Sequence, residues 1–416
     1  MLKIAGAIAA ELLDSFFSNH FFALLYILVI LFIRAQYRKY LELQNDIYGK
    51  APKSLREIIE QIILTGLLAG FAASFVTISA GLAIDAETVK YLFYIMCLLL
   101  LIDLRFVCIS YAAGILALAG LILGIKKINI PPLLCLAGIM QLVESVLVYL
   151  SRKDSCVPVF IRHKDEIAGA YLIRRFWMIP VVFFTYMAQP LASSLDFAAD
   201  LPAAFNISSV AGGAFAIGLD CLVAVLCYTD IAITRHPEKK SQRAAVMLFA
   251  YGAVLLMLAV LSVNNRWAVY LGTFFCLLGQ ELIGLYSQHV ERNGVPLYNA
   301  VRRGLRILDV LPGSHAWLMG LERGDIILSI NNRDIQTEEG VNEALKDFPT
   351  FTWINVLGCD GKEKTVEYKC FPGGYNTLGI IPVPRETEVT YNIGYIERVG
   401  ILQNIVNKFR RIDRPT

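Results

Sequence analysis

The stretch that decides the fold is residues 312–332, which read PGSHAWLMGLERGDIILSINN. The opening Pro-Gly pair predicts a turn, and Ser314 is placed to cap a short helix that Gly320 ends. The later Gly-Asp pair predicts a tight turn into a strand over residues 326–330, and the two asparagines after it predict a turn out of that strand. Closely spaced turns around a short helix and a strand are typical of a small α+β domain.

The residues on both sides of this stretch complete the predicted domain. Residues 303–310 predict a strand before the turn, and residues 337–347 predict a capped helix with Val341 and Leu345 on one face. Two further strands are predicted over residues 352–357 and 363–368, around a turn at Asp360-Gly361. The domain therefore combines several short strands with two helices.

This order of residues resembles the core of bacterial PDZ domains, whose pattern is PGSPA…GL..GD.I..ING. The likeness covers about residues 300–384, and His315 stands where the family usually has proline. The resemblance implies an α+β PDZ domain over residues 300–384, followed by a tail over residues 385–416. PDZ domains bind an extended peptide that adds a strand to a sheet edge beside a helix. The resemblance therefore implies that Val341 and Leu345 line a peptide groove.

The position of the loop that binds a peptide carboxylate is less conventional. The family has this loop before the first strand of the core, where residues 294–298 here show no suitable glycine pattern. Residues 376–382, NTLGIIP, offer an alternative after the last strand. We expect this segment to close a permuted sheet and to supply the loop through Thr377, Leu378, Gly379 and Ile380. The competing interpretation is that the segment is only a closing edge strand.

The first 290 residues belong to another physical class. Of the 416 residues, 56% are hydrophobic and only 18% are charged, whereas soluble domains carry about 25% charged residues. The net charge of +3 gives no case for nucleic acid as a partner. Because a helix needs about 20 apolar residues to cross a bilayer, we expect a polytopic α-helical membrane bundle over residues 1–290. About nine transmembrane helices are predicted, near residues 16–33, 60–84, 88–103, 106–125, 131–150, 176–195, 210–233, 244–262 and 267–286.

Basic residues mark alternate loops of this bundle. The loops after the first, fifth and seventh predicted spans are rich in Lys and Arg, whereas residues 196–209 contain neither. Because basic loops remain in the cytoplasm, the sequence predicts an external N-terminus and a cytoplasmic PDZ domain. Lys126 and Lys127 are the exception to this pattern. Residues 1–13 are predicted to form a short interfacial helix that leads into the first span.

The sequence lacks the motifs of the intramembrane proteases. No histidine begins a His-Glu-x-x-His motif, and no Gly-x-Ser-Gly motif is present. The Gly218-Leu219-Asp220 triplet lacks the glycine that should precede the aspartate in the aspartyl class. We therefore expect no enzyme activity, with no catalytic residue, no metal ligand and no cofactor.

Several polar residues fall inside the predicted spans, namely Gln141, Glu144, Asp220, Gln280 and Glu281. One interpretation is a path for an ion or solute, since intramembrane carboxylates are rare and often functional. The other is hydrogen bonding between helices. The structural interpretation is favoured because no transporter repeat is visible.

A chain of many spans followed by this PDZ pattern resembles the MinJ-type topological determinants of Gram-positive cell division. Residues 304–314, GLRILDVLPGS, and the later Leu-Gly-Ile-Ile segment carry the specific likeness. The resemblance implies a multi-pass membrane adaptor, enriched at septa and poles, that bridges a DivIVA-like scaffold and a MinD-like division inhibitor. The sequence does not determine the oligomeric state, and a homo-oligomer is compatible with it.

Two other functions fit the same organisation. One is a PDZ-containing regulator of a membrane protease or secretion system, and the other is a transporter with a PDZ sensor. The tail over residues 395–414 has apolar side chains at helical spacing and a basic end, which predicts an amphipathic helix. Such a helix would lie on membrane lipid or pack on the PDZ domain.

Overall fold

A computed structural model describes residues 2–18, 20–48, 53–102, 108–125, 128–154, 156–164, 166–187, 216–347, 350–359, 361–369 and 378–385. The helices are α1 (Leu2–Phe17), α2 (His20–Tyr48), α3 (Leu55–Ser79), α4 (Ala86–Ile102), α5 (Ile109–Leu123), α6 (Ile130–Leu150), α7 (Pro237–Ser262), α8 (Arg266–Asn293), α9 (His315–Leu318) and α10 (Glu338–Asp347). The strands are β1 (Ala83–Asp85), β2 (Val157–His163), β3 (Glu166–Met187), β4 (Ala216–Ala232), β5 (Tyr298–Asn299), β6 (Leu305–Val310), β7 (Ile326–Ile330), β8 (Arg333–Asp334), β9 (Phe351–Leu357), β10 (Glu363–Lys369) and β11 (Ile380–Pro382).

Two of the nine predicted transmembrane helices are long β-strands instead. Strands β3 and β4 pair antiparallel from Tyr171 opposite Ala232 to Met187 opposite Ala216. Within the described residues, they take the place of the helices predicted at 176–195 and 210–233. The prediction was wrong there because mean hydropathy reports apolar content and not backbone pairing. Both segments are rich in β-branched and aromatic residues, which favour strands.

The remaining apolar helices differ in length. Among the described residues, four helical segments are long and apolar enough to cross a membrane: Leu55–Ser79, Ile130–Lys153, Pro237–Ser262 and Arg266–Asn293. A fifth is added if the pair Lys3–Phe17 and Phe22–Asn45, bent by 82°, counts as one span. Helices α4 and α5 cover two further predicted spans but are only 17 and 15 residues long. The predicted break between them at Asp103-Leu104-Arg105 lies outside the described residues.

Helix α3 lies directly on the edge of β3, and small residues make this approach possible. A Cβ atom on Gly66 would lie 2.0 Å from the Met178 carbonyl oxygen, and one on Gly70 would lie 2.3 Å from the Pro180 carbonyl oxygen. One turn further along α3, the Ser74 hydroxyl accepts a hydrogen bond from the Val182 N–H at 2.8 Å. Alternate residues of β3 turn their backbone groups toward α3, and Pro180 is one of them. Because proline has no N–H, this residue leaves no unpaired backbone donor facing α3.

Helices α5 to α8 pack beside the sheet, and their buried polar residues bond to one another. The Gln141 side chain donates to the Ser110 hydroxyl at 3.0 Å and to Glu144 at 3.1 Å. Tyr111 of α5 donates to Glu281 of α8 at 2.8 Å. These contacts agree with the interpretation that the polar residues link helices. Asp220 lies on β4 and not on a membrane helix.

The strands after α8 form a separate sheet in the order β10-β9-β7-β6-β11, with β8 beside β7. The strands and helices predicted between residues 303 and 369 are confirmed, with ends that differ by at most two residues. Ser314 caps α9 by accepting from the Trp317 N–H at 3.3 Å. Asn331 and Asn332 both have positive φ, at 47° and 64°, as a tight hairpin turn requires. The predicted tail helix over residues 395–414 lies outside the described residues.

Candidate peptide-binding site

Strand β11 ends the second sheet beside β6, and its outer edge carries no strand within the described residues. Leu311 N–H donates to the Gly379 carbonyl at 2.9 Å, and Val383 N–H donates to the Arg306 carbonyl at 2.8 Å. Gly379 and Val383 therefore turn their backbone groups toward β6. Because backbone direction alternates along a strand, the N–H and C=O of Ile380 point away from β6, toward the open edge. This is the arrangement that an added peptide strand requires.

The Leu378-Gly379 segment that enters β11 is tied to the beginning of α9. The Leu378 carbonyl accepts from the Ala316 N–H at 2.9 Å, and the Ser314 hydroxyl donates to the Gly379 carbonyl at 3.3 Å. Gly379 has φ +78°, and a Cβ atom there would lie 2.3 Å from the Ser314 Cβ. Glycine is therefore needed at residue 379 both for its backbone conformation and for close packing.

The structure brings most of the predicted peptide-binding residues together. Val341 and Leu345 of α10 are buried in one apolar cluster with Leu378, and Ile380 packs against that cluster. Thr377 lies outside the described residues. These residues of the helix and of the strand therefore share one apolar cluster, while the binding of a peptide by them stays a prediction.

The opposite face of β6 and β11 packs on the first sheet, a contact that the sequence did not predict. Leu308, Ile381 and Val383 belong to the main apolar core together with residues of the long apolar helices. The Tyr171 hydroxyl of β3 donates a hydrogen bond to the Leu308 carbonyl. A Cβ atom on Gly169 would lie 2.5 Å from Leu308 Cδ1. The PDZ sheet is therefore docked on β3, and no local sequence pattern marks the residues that dock it.

Charged and aromatic groups surround this docking contact. Arg323 forms two hydrogen bonds with the buried Asp309 carboxylate, at 2.6 and 3.3 Å, and its guanidinium lies 5.2 Å from the centre of the Tyr171 ring. Nearby, Tyr298 of β5 lies 2.9 Å from Nδ1 of His236. Burial, together with the positive charges of Lys239 and Arg323, lowers the pKa of His236. These surroundings therefore favour the neutral form of the imidazole beside the tyrosine hydroxyl.

A buried ionic cluster joins β4 to α7 and α8 close to the PDZ domain. Lys240 Nζ lies 2.9 Å from Glu291 Oε1, 2.7 Å from Ser287 Oγ and 3.5 Å from Asp230 Oδ2. The other oxygen of Glu291 accepts from the backbone N–H groups of Ile233 and of the residue after it, both at 2.8 Å. The sequence placed Lys240 in a loop, so this cluster was missed. The spacing of Lys240 and Glu291, 51 residues apart, gives no signal that they meet.

A family model for the PDZ domain matches residues 306–351. The cell division topological determinant MinJ of Bacillus subtilis (strain 168) is 23% identical over 263 residues, which cover 62% of this chain and 63% of that protein. The probable cell division topological determinant MinJ of Lacticaseibacillus paracasei is 29% identical over 85 residues, or 20% of this chain and 23% of that protein. The matched region therefore spans less than two thirds of either relative. Over part of its length the chain is therefore similar to proteins named as cell division topological determinants MinJ, and it carries a PDZ domain after its apolar helices.

Proposed function

We propose that this chain is a membrane-anchored adaptor for division-site placement, and that it recruits protein partners by strand addition at β11. The observation that carries the proposal is the open edge at Ile380, whose side chain packs against the apolar cluster to which the buried face of α10 belongs. A sheet edge and a neighbouring helix are what PDZ domains use to hold a peptide. The adaptor performs no chemistry in this proposal, and it requires neither a metal nor a cofactor.

The proposed partners are a DivIVA-like scaffold and a MinD-like division inhibitor, bridged at septa and poles. Support comes from the similarity to proteins named as cell division topological determinants in Bacillus and Lacticaseibacillus. Only the family resemblance suggests these partners.

The proposed orientation places the PDZ domain in the cytoplasm. The antiparallel pair β3 and β4 replaces two predicted helices. Because β4 runs back in the direction opposite to β3, this change does not alter the side of the membrane on which the following helices begin. The end of α6, the beginning of α7 and the end of α8 lie at the same end of the molecule as the PDZ domain. Ser151, just after α6, accepts a hydrogen bond from Arg175 of β3, and Lys240 of α7 bonds to Glu291 of α8. Tyr171 of β3 in turn donates to Leu308 of the PDZ sheet. The basic residues near these helix ends support the cytoplasmic orientation.

A point variant tests the adaptor function better than a deletion does. Deleting residues 300–416 would uncover Tyr171 and Gly169 in the apolar core, so a loss of function would not separate binding from folding. Ile380→Pro removes the outward N–H and also replaces a side chain that packs against the apolar cluster, and proline is tolerated on an edge strand. Arg333→Ala is the matched control, because it removes an exposed ion pair with Asp347 elsewhere in the domain.

We expect Ile380→Pro to weaken co-purification with the DivIVA-like or MinD-like protein of the same cell at least tenfold. The same variant, as a fluorescent fusion in dividing cells, should leave the septum and produce misplaced septa. Arg333→Ala should behave as the unmodified chain does. Unchanged partner binding by Ile380→Pro would reject strand addition at β11. A wild-type fusion spread evenly around the cell would favour a regulator of a membrane protease or secretion system.

A further inference from the structure

A cavity of about 280 Å³ lies where helices α2, α3 and α6 meet β3. Its apolar wall includes Ile62 of α3 and Leu147 and Leu150 of α6, which lie near the ends of two helices long enough to cross a membrane. Leu150 at the rim is 68% exposed, so the apolar wall continues onto the outer surface of the helices. The cavity therefore lies at the boundary between the apolar and the polar parts of the bundle.

Two buried donors that line this cavity have no hydrogen-bond partner among the described residues. Arg175 is 5% exposed, and its Nη1 donates to the Ser151 hydroxyl at 2.8 Å while its Nη2 is unpaired. Gln44 is 2% exposed, and its Nε2 is unpaired as well. A buried guanidinium bonded to a neutral hydroxyl is costly unless an acceptor reaches its remaining N–H groups.

The charges around the cavity are mainly positive. Lys53, Arg174 and Arg175 line it together with a single carboxylate, that of Asp154. Lys53 donates to the neutral side chain of Gln61 at 3.0 Å. The lining therefore favours a ligand that brings negative charge and several acceptor oxygens, which is the chemistry of a phosphate group.

We propose that this cavity binds the phosphodiester headgroup of an anionic membrane lipid, with Arg175 Nη2 and Gln44 Nε2 donating to the phosphate oxygens. The apolar rim at Leu150 then lies against the acyl chains. Basic pockets between membrane helices bind such headgroups for the same reasons. A lipid held here fastens α2, α3, α6 and β3 together at the end of the bundle that carries the PDZ domain.

The test uses the purified full-length protein in detergent, with native mass spectrometry and thermal unfolding as readouts. Phosphatidylglycerol, phosphatidylcholine and inorganic phosphate are added in turn. We expect phosphatidylglycerol to bind at least tenfold more tightly than phosphatidylcholine and to raise the unfolding midpoint. Inorganic phosphate alone should give little stabilisation. If it stabilises the protein as much as phosphatidylglycerol does, the lipid assignment is overturned in favour of a free anion.

Two variants separate the cavity from general surface charge. Arg175→Met should weaken phosphatidylglycerol binding about tenfold or more, as expected for the loss of a hydrogen bond to a charged group. Gln44→Leu removes the second donor without removing a charge and should weaken binding in the same direction if Arg175→Met does not fold. Arg152→Met is the matched control, because Arg152 is only partly buried, lies on Tyr149 and does not line the cavity. Equal lipid binding by the wild type, Gln44→Leu and Arg152→Met would overturn the proposal.

Discussion

The buried carboxylate of Glu291 offers a direct test of how the helices are held to the sheet. Its side chain is 4% exposed, and its two oxygens accept hydrogen bonds from Lys240 and from two backbone N–H groups after β4. Replacing Glu291 by alanine removes all three bonds at once. Lys240 would then keep Ser287 at 2.7 Å and the carboxylate of Asp230 at 3.5 Å.

The expected cost follows from the burial of the pair. Removing one partner of a buried ion pair typically costs about 3–5 kcal/mol, because the other charge stays buried without its partner. Two backbone donors also lose their acceptor, although Asp230 still compensates part of the Lys240 charge. We therefore expect Glu291→Ala to lower the free energy of unfolding by about 3–5 kcal/mol. Adding Lys240→Met to this variant should cost less than Lys240→Met alone, which would leave two buried carboxylates without their cation.

The measurement is thermal unfolding of the purified full-length protein in detergent, followed by intrinsic fluorescence. Glu42→Ala is the control, because the Glu42 carboxylate forms an exposed ion pair with Arg38 at 3.2 Å. Such exposed pairs contribute about 0–1 kcal/mol, so this variant should unfold close to the wild-type midpoint. Equal midpoints for Glu291→Ala and Glu42→Ala would refute the reasoning. The reasoning would also be refuted if the free-energy costs of Lys240→Met and Glu291→Ala simply added in the double variant.

Three further predictions concern the contacts around β3. Gly70→Val should separate α3 from β3 and destabilise the fold by about 1–3 kcal/mol or more. Gly6→Val, at a site with no heavy atom within 4 Å, should not destabilise it, and the thermal unfolding midpoints of the two variants in detergent test this difference. Tyr171→Phe should leave a buried carbonyl of β6 unpaired and cost about 1–3 kcal/mol, which faster amide hydrogen exchange in residues 305–310 would reveal. Because the pKa of His236 is lowered in the folded state, stability should be complete above about pH 6.5 and fall as the pH drops below it; unfolding midpoints for His236→Gln should lose this dependence.

The PDZ part of the fold could be predicted because short-range chemistry determines it. Gly324 adopts φ +92°, Gly320 adopts φ +77° and Asn332 adopts φ +64°, conformations that few other residues accept. Each such residue fixes a turn by itself, so the order of turns identifies the strands between them. The helix face that carries Val341 and Leu345 was visible in the sequence, and the structure places Leu378 in the same apolar cluster.

The first sheet could not be predicted because long-range pairing determines it. Strand β3 is apolar on both faces, and most of its side chains are buried, so its sequence has no alternation that would distinguish it from a membrane helix. Residues 166–172 pair with the neighbouring strand β2. The backbone of the rest of β3 is satisfied by β4 on one side and partly by Ser74 and Thr77 of α3 on the other. Strand β4 and helix α3 both lie more than 25 residues from β3 along the chain, so a local window does not contain the information.

The docking of the PDZ sheet on β3 changes what an adaptor of this kind can do. On β11, Ile380 faces the PDZ cluster, while Ile381 and Val383 enter the main core. Since backbone groups also alternate, the edge of Ile380 stays open while the neighbouring residues are fixed against the main apolar core. A peptide added at this edge would be held at a defined position and not on a free tether. In the proposed function, the position of the apolar helices would therefore be passed directly to the bound partner, as placing a division site requires.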